Sequence, residues 1–293
     1  MLNKAAYKPS FRPGEFRWNL GVRGADAEAF FTPQDSSGKL LGQKRAALLS
    51  RPELYLSETP AAQPLVDAAW ELAMDWGHAL EPEGPRTLAA LAQMWEPDLL
   101  LVARENLEMV AGAVCFPSSW DPRGAVGKPV FDVHGVVPGL NGQLGDKVEK
   151  FLGSLTAGKA YARMNWSLTR SEELDYHPGI GRRKLDGTVT LEELHLRIEH
   201  QLFCAVGDGV MMGLRIEPIP LLHLTAEVDI WEGLREKVRT MPEDVARYKG
   251  MESAREAILG AMDGADALIG KDESMDDQEM VQVAIVSEIE SKP

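Results

Sequence analysis

The feature of this sequence that most restricts its fold is a long hairpin in the second half of the chain. Residues 195–206 and 210–219 are two runs with the apolar and β-branched composition of strands. Only Gly207, Asp208 and Gly209 join them, and glycine adopts the positive φ that a tight hairpin turn requires. The sequence therefore predicts two antiparallel strands at the centre of the fold.

The rest of the chain alternates between helical and extended patterns. Helices are predicted at residues 63–79, 86–94, 144–155, 230–240, 242–248 and 251–262. Further strands are predicted at residues 99–102, 109–116 and 162–168, the first two as a second hairpin. Helices, then mostly antiparallel strands, then helices is the order of an α+β fold.

Three segments lack such a pattern. Residues 1 to about 60 are rich in proline, glycine and aromatic residues, which indicates an ordered wrapping segment. Residues 117–141 are rich in proline and glycine, so a long loop shaped by turns is expected there. An acidic, mobile tail is predicted at residues 269–293, which leaves residues 1–268 as a single domain.

Charge and cysteine content exclude several classes of partner. The 31 basic and 45 acidic residues give a net charge of −14, which disfavours nucleic acid and anionic membrane surfaces. No segment is long and apolar enough to span a bilayer, and the N-terminus has no signal-peptide core. Two cysteines, Cys115 and Cys204, form no disulfide framework. A reducing, cytoplasmic location is expected.

Histidine offers the clearest chemistry, because the common catalytic motifs are absent from the sequence. It contains no phosphate loop, dinucleotide fingerprint, H-E-x-x-H motif or nucleophile elbow. His134 lies in an apolar stretch, where a single neutral imidazole suits haem iron. A core or turn histidine hydrogen-bonded to the backbone explains the same pattern. His177 is a candidate for the distal side of a haem, and thiolate ligation by Cys115 or Cys204 is the alternative to histidine.

Two predicted strands carry alternating polar and apolar side chains. In the first, Arg163 and Asn165 share one face and Trp166 lies on the other. In the next, the polar positions two apart are Arg197, Glu199 and Gln201. Such alternation indicates either a cavity wall or a solvated sheet face. A buried face would need partners such as propionates or a cationic amine.

Several motifs occur in an order that carries a resemblance to a known family. They are Phe16 to Gly21, Lys44-Arg45, Cys115 to Trp120, Gly127-Lys128-Pro129 with His134 and Val137-Pro138-Gly139, Arg163-x-Asn165-Trp166, Arg197-x-Glu199-x-Gln201, Arg215, Leu234-Arg235, and Met241-Pro242 through Gly250. Over residues 11–262 the sequence resembles the haem-dependent oxidative N-demethylase α-subunit-like proteins.

This resemblance implies a PAS-like α+β fold, with a central antiparallel sheet that holds haem b. The implied reaction is the oxidative removal of a methyl group from a small secondary amine such as dimethylamine, with O2 as oxidant and formaldehyde as product. The implied electron source is NADPH, through flavin and iron–sulfur centres on partner proteins. The sequence shows no motif of its own for those electron carriers.

The resemblance also implies roles for individual residues. His134, inside the matching Lys-Pro to Pro-Gly motif, is the expected axial ligand of the iron. The haem and substrate pocket is expected to include Arg163, Asn165, Trp166, Arg197, Glu199 and Gln201. Among these, Glu199 and Asn165 are the expected catalytic residues, with Glu199 facing an ammonium group. Arg163 and Arg197 are expected to hold the haem propionates through paired N–H donors.

Three alternatives stay open at the level of sequence. The fold suits a PAS-type haem sensor, although no output domain or coiled coil is visible. A haem enzyme acting on another N-methylated substrate fits equally, because a fold does not fix a substrate. The third alternative is a structural subunit that kept the fold without haem.

Overall fold

The structure is a computed structural model that describes residues 10–78 and 85–272, with side chains described up to residue 266. The chain divides into two compact units. Of the described residues, the sheet unit comprises 17–78, 85–184 and 195–219, and the helical unit comprises 10–16, 185–194 and 220–272. No helix in the described ranges is long and apolar enough to cross a bilayer.

A seven-stranded antiparallel sheet forms the centre of the sheet unit. In chain order its strands are β1 (Arg23–Ala25), β2 (Leu56–Glu58), β3 (Asp98–Ala103), β4 (Met109–Ala113), β5 (Ala160–Thr169), β6 (His195–Val206) and β7 (Gly209–Pro220). Their order across the sheet is β1-β5-β6-β7-β3-β4-β2. Both predicted hairpins and the predicted strand near residue 165 are confirmed, and so is the α+β class.

The turn between β6 and β7 requires glycine for two reasons. Gly207 has a φ of 50°, in the left-handed region that side chains disfavour. A Cβ atom on Gly209 would lie 2.6 Å from both the carbonyl oxygen of Val102 and a methyl group of Leu65. The hairpin therefore depends on backbone freedom at one glycine and on close packing at the other.

Helices cover both faces of the sheet. One face packs against α1 (Ala27–Phe31), α2 (Lys39–Ser50), α3 (Pro52–Tyr55), α4 (Gln63–Asp75) and α5 (Leu88–Met94). The other packs against α6 (Val130–His134) and α7 (Leu140–Ser154). Consecutive residues on β6 show the division, because Leu202 belongs to the first core and Phe203 to the second.

Two segments differ from the sequence-based prediction. The wrapping segment contains α2, a helix of 12 residues. The inward positions of α2 include Lys44 as well as Leu48, and a buried charge obscures the apolar period that would have indicated a helix. The predicted long loop contains a 3-10 turn at Pro122–Gly124 and the helix α6, so His134 lies at the end of a helix.

The helical unit contains α8 (Val228–Thr240), α9 (Glu243–Tyr248) and α10 (Arg255–Asp272). The three predicted C-terminal helices are confirmed, and the last is longer than expected. Trp231 of α8 donates its indole N–H to Asp266 of α10 across 2.8 Å. Most of the predicted acidic tail, residues 273–293, lies outside the described residues, and the boundary between residues 268 and 269 stays a prediction.

Candidate functional site

His134 is the last residue of α6, on the face of the sheet that α6 and α7 cover. It lines a small crevice between these two helices, together with Phe131, Asn141 and Gly145. Two apolar side chains near it face solvent, since Phe131 is 47% exposed and Val136 is 72% exposed. A partly buried imidazole beside exposed apolar surface is the arrangement expected where a flat apolar cofactor binds.

Contacts with α7 hold the five-residue helix α6 in place. Val130 is buried in the core that Leu152 of α7 shares, which fixes the start of α6. Asn141 donates its side-chain N–H to the carbonyl oxygen of Phe131 across 2.7 Å. The Phe131 ring packs on Gly145, where a Cβ atom would lie 3.2 Å from the ring. The short helix therefore owes its position to α7.

Two effects lower the pKa of His134 below its usual value of 6.5. Burial is the larger one, because it disfavours the charged imidazolium. The positive charge of Arg163 acts in the same direction. The imidazole is therefore neutral near pH 7, and a neutral imidazole is the form that binds a metal.

Four polar side chains on β5 and β6 form a continuous hydrogen-bonded group on one face of the sheet. The register pairs Arg163 with Gln201 and Asn165 with Glu199. Arg163 donates to the amide oxygen of Gln201 across 3.1 Å. Asn165 and Gln201 each donate an amide N–H to the same oxygen of Glu199, Oε2, across 3.2 Å. Four of the six pocket residues predicted on these strands therefore lie together.

Arg163 connects this group to His134. Its guanidinium donates to the backbone carbonyl of Asn19 across 3.3 Å, while its Nε is buried and has no hydrogen-bond partner in the described part of the chain. Burial lowers the pKa of Arg163, and the charge of Glu199 partly offsets that effect. A buried, unpartnered N–H is costly unless an acceptor occupies the site.

The segment that contains Asn19 also contacts the loop after His134. Trp18 donates its indole N–H to the carbonyl oxygen of Pro138 across 2.8 Å. Trp18 and Asn19 thus join the Pro-Gly motif to β5. Sequence reasoning did not assign either residue to the site, although both lie inside a motif that carries the family resemblance.

Arg197 precedes Glu199 by two residues on β6 and therefore belongs to the same face of the strand. Its side chain is fully buried, and its guanidinium already donates hydrogen bonds within the protein. It donates to Ser118 Oγ across 2.8 Å. It also donates to the backbone carbonyls of Phe116 across 2.8 Å and Leu174 across 2.7 Å. These contacts hold two loops against the sheet, so few N–H groups of Arg197 remain for a ligand.

Trp166 lies on the opposite face of the sheet from Arg163 and Asn165, and its side chain is buried. The structure does not bring it together with the other pocket residues. His200 shares that opposite face, and its Nε2 lies 2.8 Å from a carboxylate oxygen of Glu217.

The other sequence candidates for haem ligation are engaged in the protein's own packing. His177 is buried, and its Nδ1 accepts a hydrogen bond from the backbone N–H of Gly179 across 3.0 Å. Its Nε2 is buried without a hydrogen-bond partner among the described residues and lies 3.6 Å from a carboxylate oxygen of Asp121. Burial raises the pKa of the Cys204 thiol to about 12, and it raises the pKa of Cys115 as well. Both thiols are therefore protonated near pH 7, and the thiolate is the form that ligates iron.

A comparison with protein families identifies the family of this chain. The model of the family described as haem-dependent oxidative N-demethylase, alpha subunit-like, matches residues 58–259. That is more than half of the chain and includes His134 and the polar group on β5 and β6. The chain belongs to this family.

Membership of the haem-dependent oxidative N-demethylase alpha subunit-like family defines the broad chemistry. The family description indicates an oxidoreductase related to N-demethylases, with haem as its cofactor. The words "alpha subunit" imply a complex of more than one subunit. The motifs at Phe16 to Gly21 and at Lys44-Arg45 lie outside the matched residues.

The residues present fit a haem. His134 supplies a neutral nitrogen ligand, and exposed Phe131 and Val136 supply apolar surface. The unpartnered Nε of Arg163 supplies a buried donor for an anionic group. In the described part of the chain, no group of three or more histidine, cysteine, aspartate and glutamate side chains is placed to hold a metal ion.

Proposed function

We propose that this protein is the haem-binding catalytic subunit of an oxidative N-demethylase that acts on a small secondary amine such as dimethylamine. One observation carries the proposal. His134 and Arg163 are on the side of the sheet that α6 and α7 cover, the charge of Arg163 adds to burial in lowering the pKa of His134, and Arg163 donates to the polar group that contains Glu199. A candidate metal ligand, a hydrogen-bond donor for an anionic group and a carboxylate thus occur on one side of the sheet.

The first part of the proposal concerns haem. His134 would ligate the iron through its free ring nitrogen, and Arg163 would bind a propionate through the buried Nε–H. Arg197, predicted from the sequence to hold a propionate as well, would support the pocket by fixing the loops at Phe116 and Leu174.

The second part concerns the amine. Both amides, Asn165 and Gln201, donate to Oε2 of Glu199. Among the described residues, no hydrogen bond reaches Oε1 of that carboxylate. Glu199 would therefore present a fixed, negatively charged oxygen to the ammonium group of the substrate, while Asn165 and Gln201 hold its orientation.

Haem, when bound, would supply the oxidation of the N-methyl carbon, with O2 as oxidant and formaldehyde and the shorter amine as products. The residues of this chain would bind and orient the amine and exclude water from it. Electrons would come from NADPH through flavin and iron–sulfur partner subunits. The same proposal includes a PAS-like fold for the sheet. It also includes a cytoplasmic location, which suits a protein with two buried free cysteines.

The test combines a spectrum with a product assay. Purified protein reconstituted with haem should show a Soret band that shifts on addition of dimethylamine, and should release formaldehyde when a reductase supplies electrons. His134→Ala should lose most of the haem absorbance. His223→Ala removes a solvent-exposed histidine of the helical unit and should leave the spectrum unchanged.

Two results would contradict the proposal. An unchanged haem spectrum in His134→Ala would reject His134 as the ligand. A Soret band without formaldehyde release for any small N-methylated amine would favour the sensor alternative.

A further inference from the structure

Asn141, in the first turn of α7, carries a polar atom that the fold leaves without a partner. Its Nδ2 donates to the carbonyl oxygen of Phe131 across 2.7 Å. A carbonyl only accepts, so this bond fixes which end of the amide is nitrogen. Oδ1 therefore faces away from Phe131, and it is buried without a hydrogen-bond partner in the described part of the chain.

His134 lies on the same small crevice between α6 and α7 as Asn141. A neutral imidazole has one N–H donor and one nitrogen lone pair. Within the described residues, no hydrogen bond to the His134 ring occurs. The same crevice is thus lined by an imidazole without a hydrogen-bond partner among the described residues and by the buried, unpartnered oxygen of Asn141.

The other polar groups near the imidazole are less suitable acceptors. Arg163 has only N–H donors. Glu149 lines the crevice, but its side chain is exposed to water. The carbonyl of Phe131 already accepts from Asn141. Among the side chains that line the crevice, Oδ1 of Asn141 is the buried acceptor that remains.

We propose that Asn141 is a positioning residue whose Oδ1, unpartnered in the structure, accepts the ring N–H of His134 when the imidazole turns towards it. This inference rests on the proposed function, in which His134 is the axial ligand of haem. A metal-binding histidine almost always donates its second ring N–H to a nearby acceptor, which fixes the tautomer and makes the ligating nitrogen more basic. Asn141 thereby sets both the direction of the imidazole and its strength as a ligand.

Two variants separate this role from simple support of α6. Asn141→Leu removes both the bond to Phe131 and the acceptor for His134. Asn141→Asp also loses the donor to Phe131 but keeps an oxygen acceptor, now charged. If Asn141 only supports α6, both variants change the haem site in the same direction. If it accepts from His134, they change it in opposite directions.

The measurements are the iron–histidine stretching frequency and the reduction potential of the reconstituted holoprotein. Asn141→Leu should lower the frequency, raise the potential and weaken haem binding by about tenfold or more. Asn141→Asp should raise the frequency and lower the potential. Gln143→Leu, an exposed change in the same helical turn, should alter neither quantity.

Several outcomes would overturn the inference. Unchanged frequencies in both Asn141 variants would do so, as would parallel shifts. A shift in Glu149→Gln with none in Asn141→Asp would assign the acceptor to Glu149. If Asn141→Leu does not fold, nitrogen chemical shifts of His134 in the apoprotein give the tautomer and its change in Asn141→Asp.

The inference and the proposed function fail in distinguishable ways. If His134→Ala retains haem with an unchanged spectrum, His134 is rejected as the haem ligand. Haem lost in His134→Ala, together with unaltered iron–histidine frequencies in the Asn141 variants, removes only the positioning role.

Discussion

The charge of Arg163 acts on the imidazole of His134, although the two residues are 29 positions apart and belong to different elements. The interaction lowers the pKa of His134 and adds to the effect of burial. Arg163 in turn donates to Gln201, which donates to Glu199. The expected haem ligand and the expected substrate carboxylate are thus linked through one guanidinium.

This relationship predicts a pKa change in the apoprotein. Arg163→Gln removes a positive charge that disfavours the imidazolium, so the pKa of His134 should rise. It should stay below the usual 6.5, because burial is the larger cause and is retained. An NMR titration of the histidine ring protons measures the shift. Arg123→Gln, at a solvent-exposed position, is the matched control, and an equal shift there would contradict the prediction.

The same pKa has a consequence for stability. An imidazole whose pKa is lowered in the folded state binds a proton more readily when the chain unfolds. The stabilisation is therefore complete above the unfolded value of about 6.5 and declines as pH falls below it. Urea unfolding of the apoprotein between pH 7.5 and about 5 should show a loss that is smaller in His134→Gln. An equal loss in both proteins would exclude this contribution.

Arg163 and Arg197 should respond differently to substitution by lysine. Arg197 donates to several loop groups with a fork geometry that lysine cannot reproduce. Arg197→Lys should therefore lower the free energy of unfolding of the apoprotein by about 2–4 kcal/mol. Arg163→Lys should change stability little and weaken haem binding. Urea denaturation and haem titration of both variants measure these effects, and the reverse pattern would assign the propionate to Arg197.

The fold was predictable from the sequence wherever a local pattern determined it. The β6 and β7 hairpin followed from two strand-like runs joined through Gly207 and Gly209. Helix α2 was not predictable, because its buried face includes Lys44. Helix α6 was not predictable either, since its five residues follow a proline and depend on the side chain of Asn141 ten positions beyond Phe131.

The site was predictable only in part. Alternation placed Arg163 and Asn165 on one face of β5, and Glu199 and Gln201 on one face of β6. The register of the two strands shows that these pairs are neighbours, which the alternation alone did not predict. The effect of the Arg163 charge on His134 depends on the tertiary fold, and no spacing in the sequence encodes it. The bonding of Arg197 to loop carbonyls was equally hidden, because backbone acceptors leave no mark on residue types.

Substitution of Lys44, in the Lys44-Arg45 motif, should lower the free energy of unfolding strongly. Its ammonium lies 3.3 Å from Asp98, and both side chains are essentially fully buried. Lys44→Met leaves the Asp98 carboxylate buried without its cation, which should cost about 3–5 kcal/mol. Denaturant unfolding measures this loss. Lys39→Met, at an exposed position of the same helix, should cost little, and a loss below about 1 kcal/mol in Lys44→Met would refute the argument.

Glu199 gives the prediction that tests substrate recognition most directly. Glu199→Gln keeps the size of the side chain and removes the charge that would attract an ammonium group. A hydrogen bond to a charged group contributes about 1.5–3 kcal/mol, so KM for dimethylamine should rise about tenfold or more.

Haem content and the Soret band without amine should stay unchanged in Glu199→Gln, since His134 and Arg163 are retained. Steady-state assays of formaldehyde release, with haem content as a check, measure both quantities. Glu217→Gln is the matched control, because Glu217 is a partly exposed carboxylate bonded to His200 on the opposite face of the sheet. A tenfold rise in KM for Glu217→Gln but not for Glu199→Gln would move the amine site to that other face.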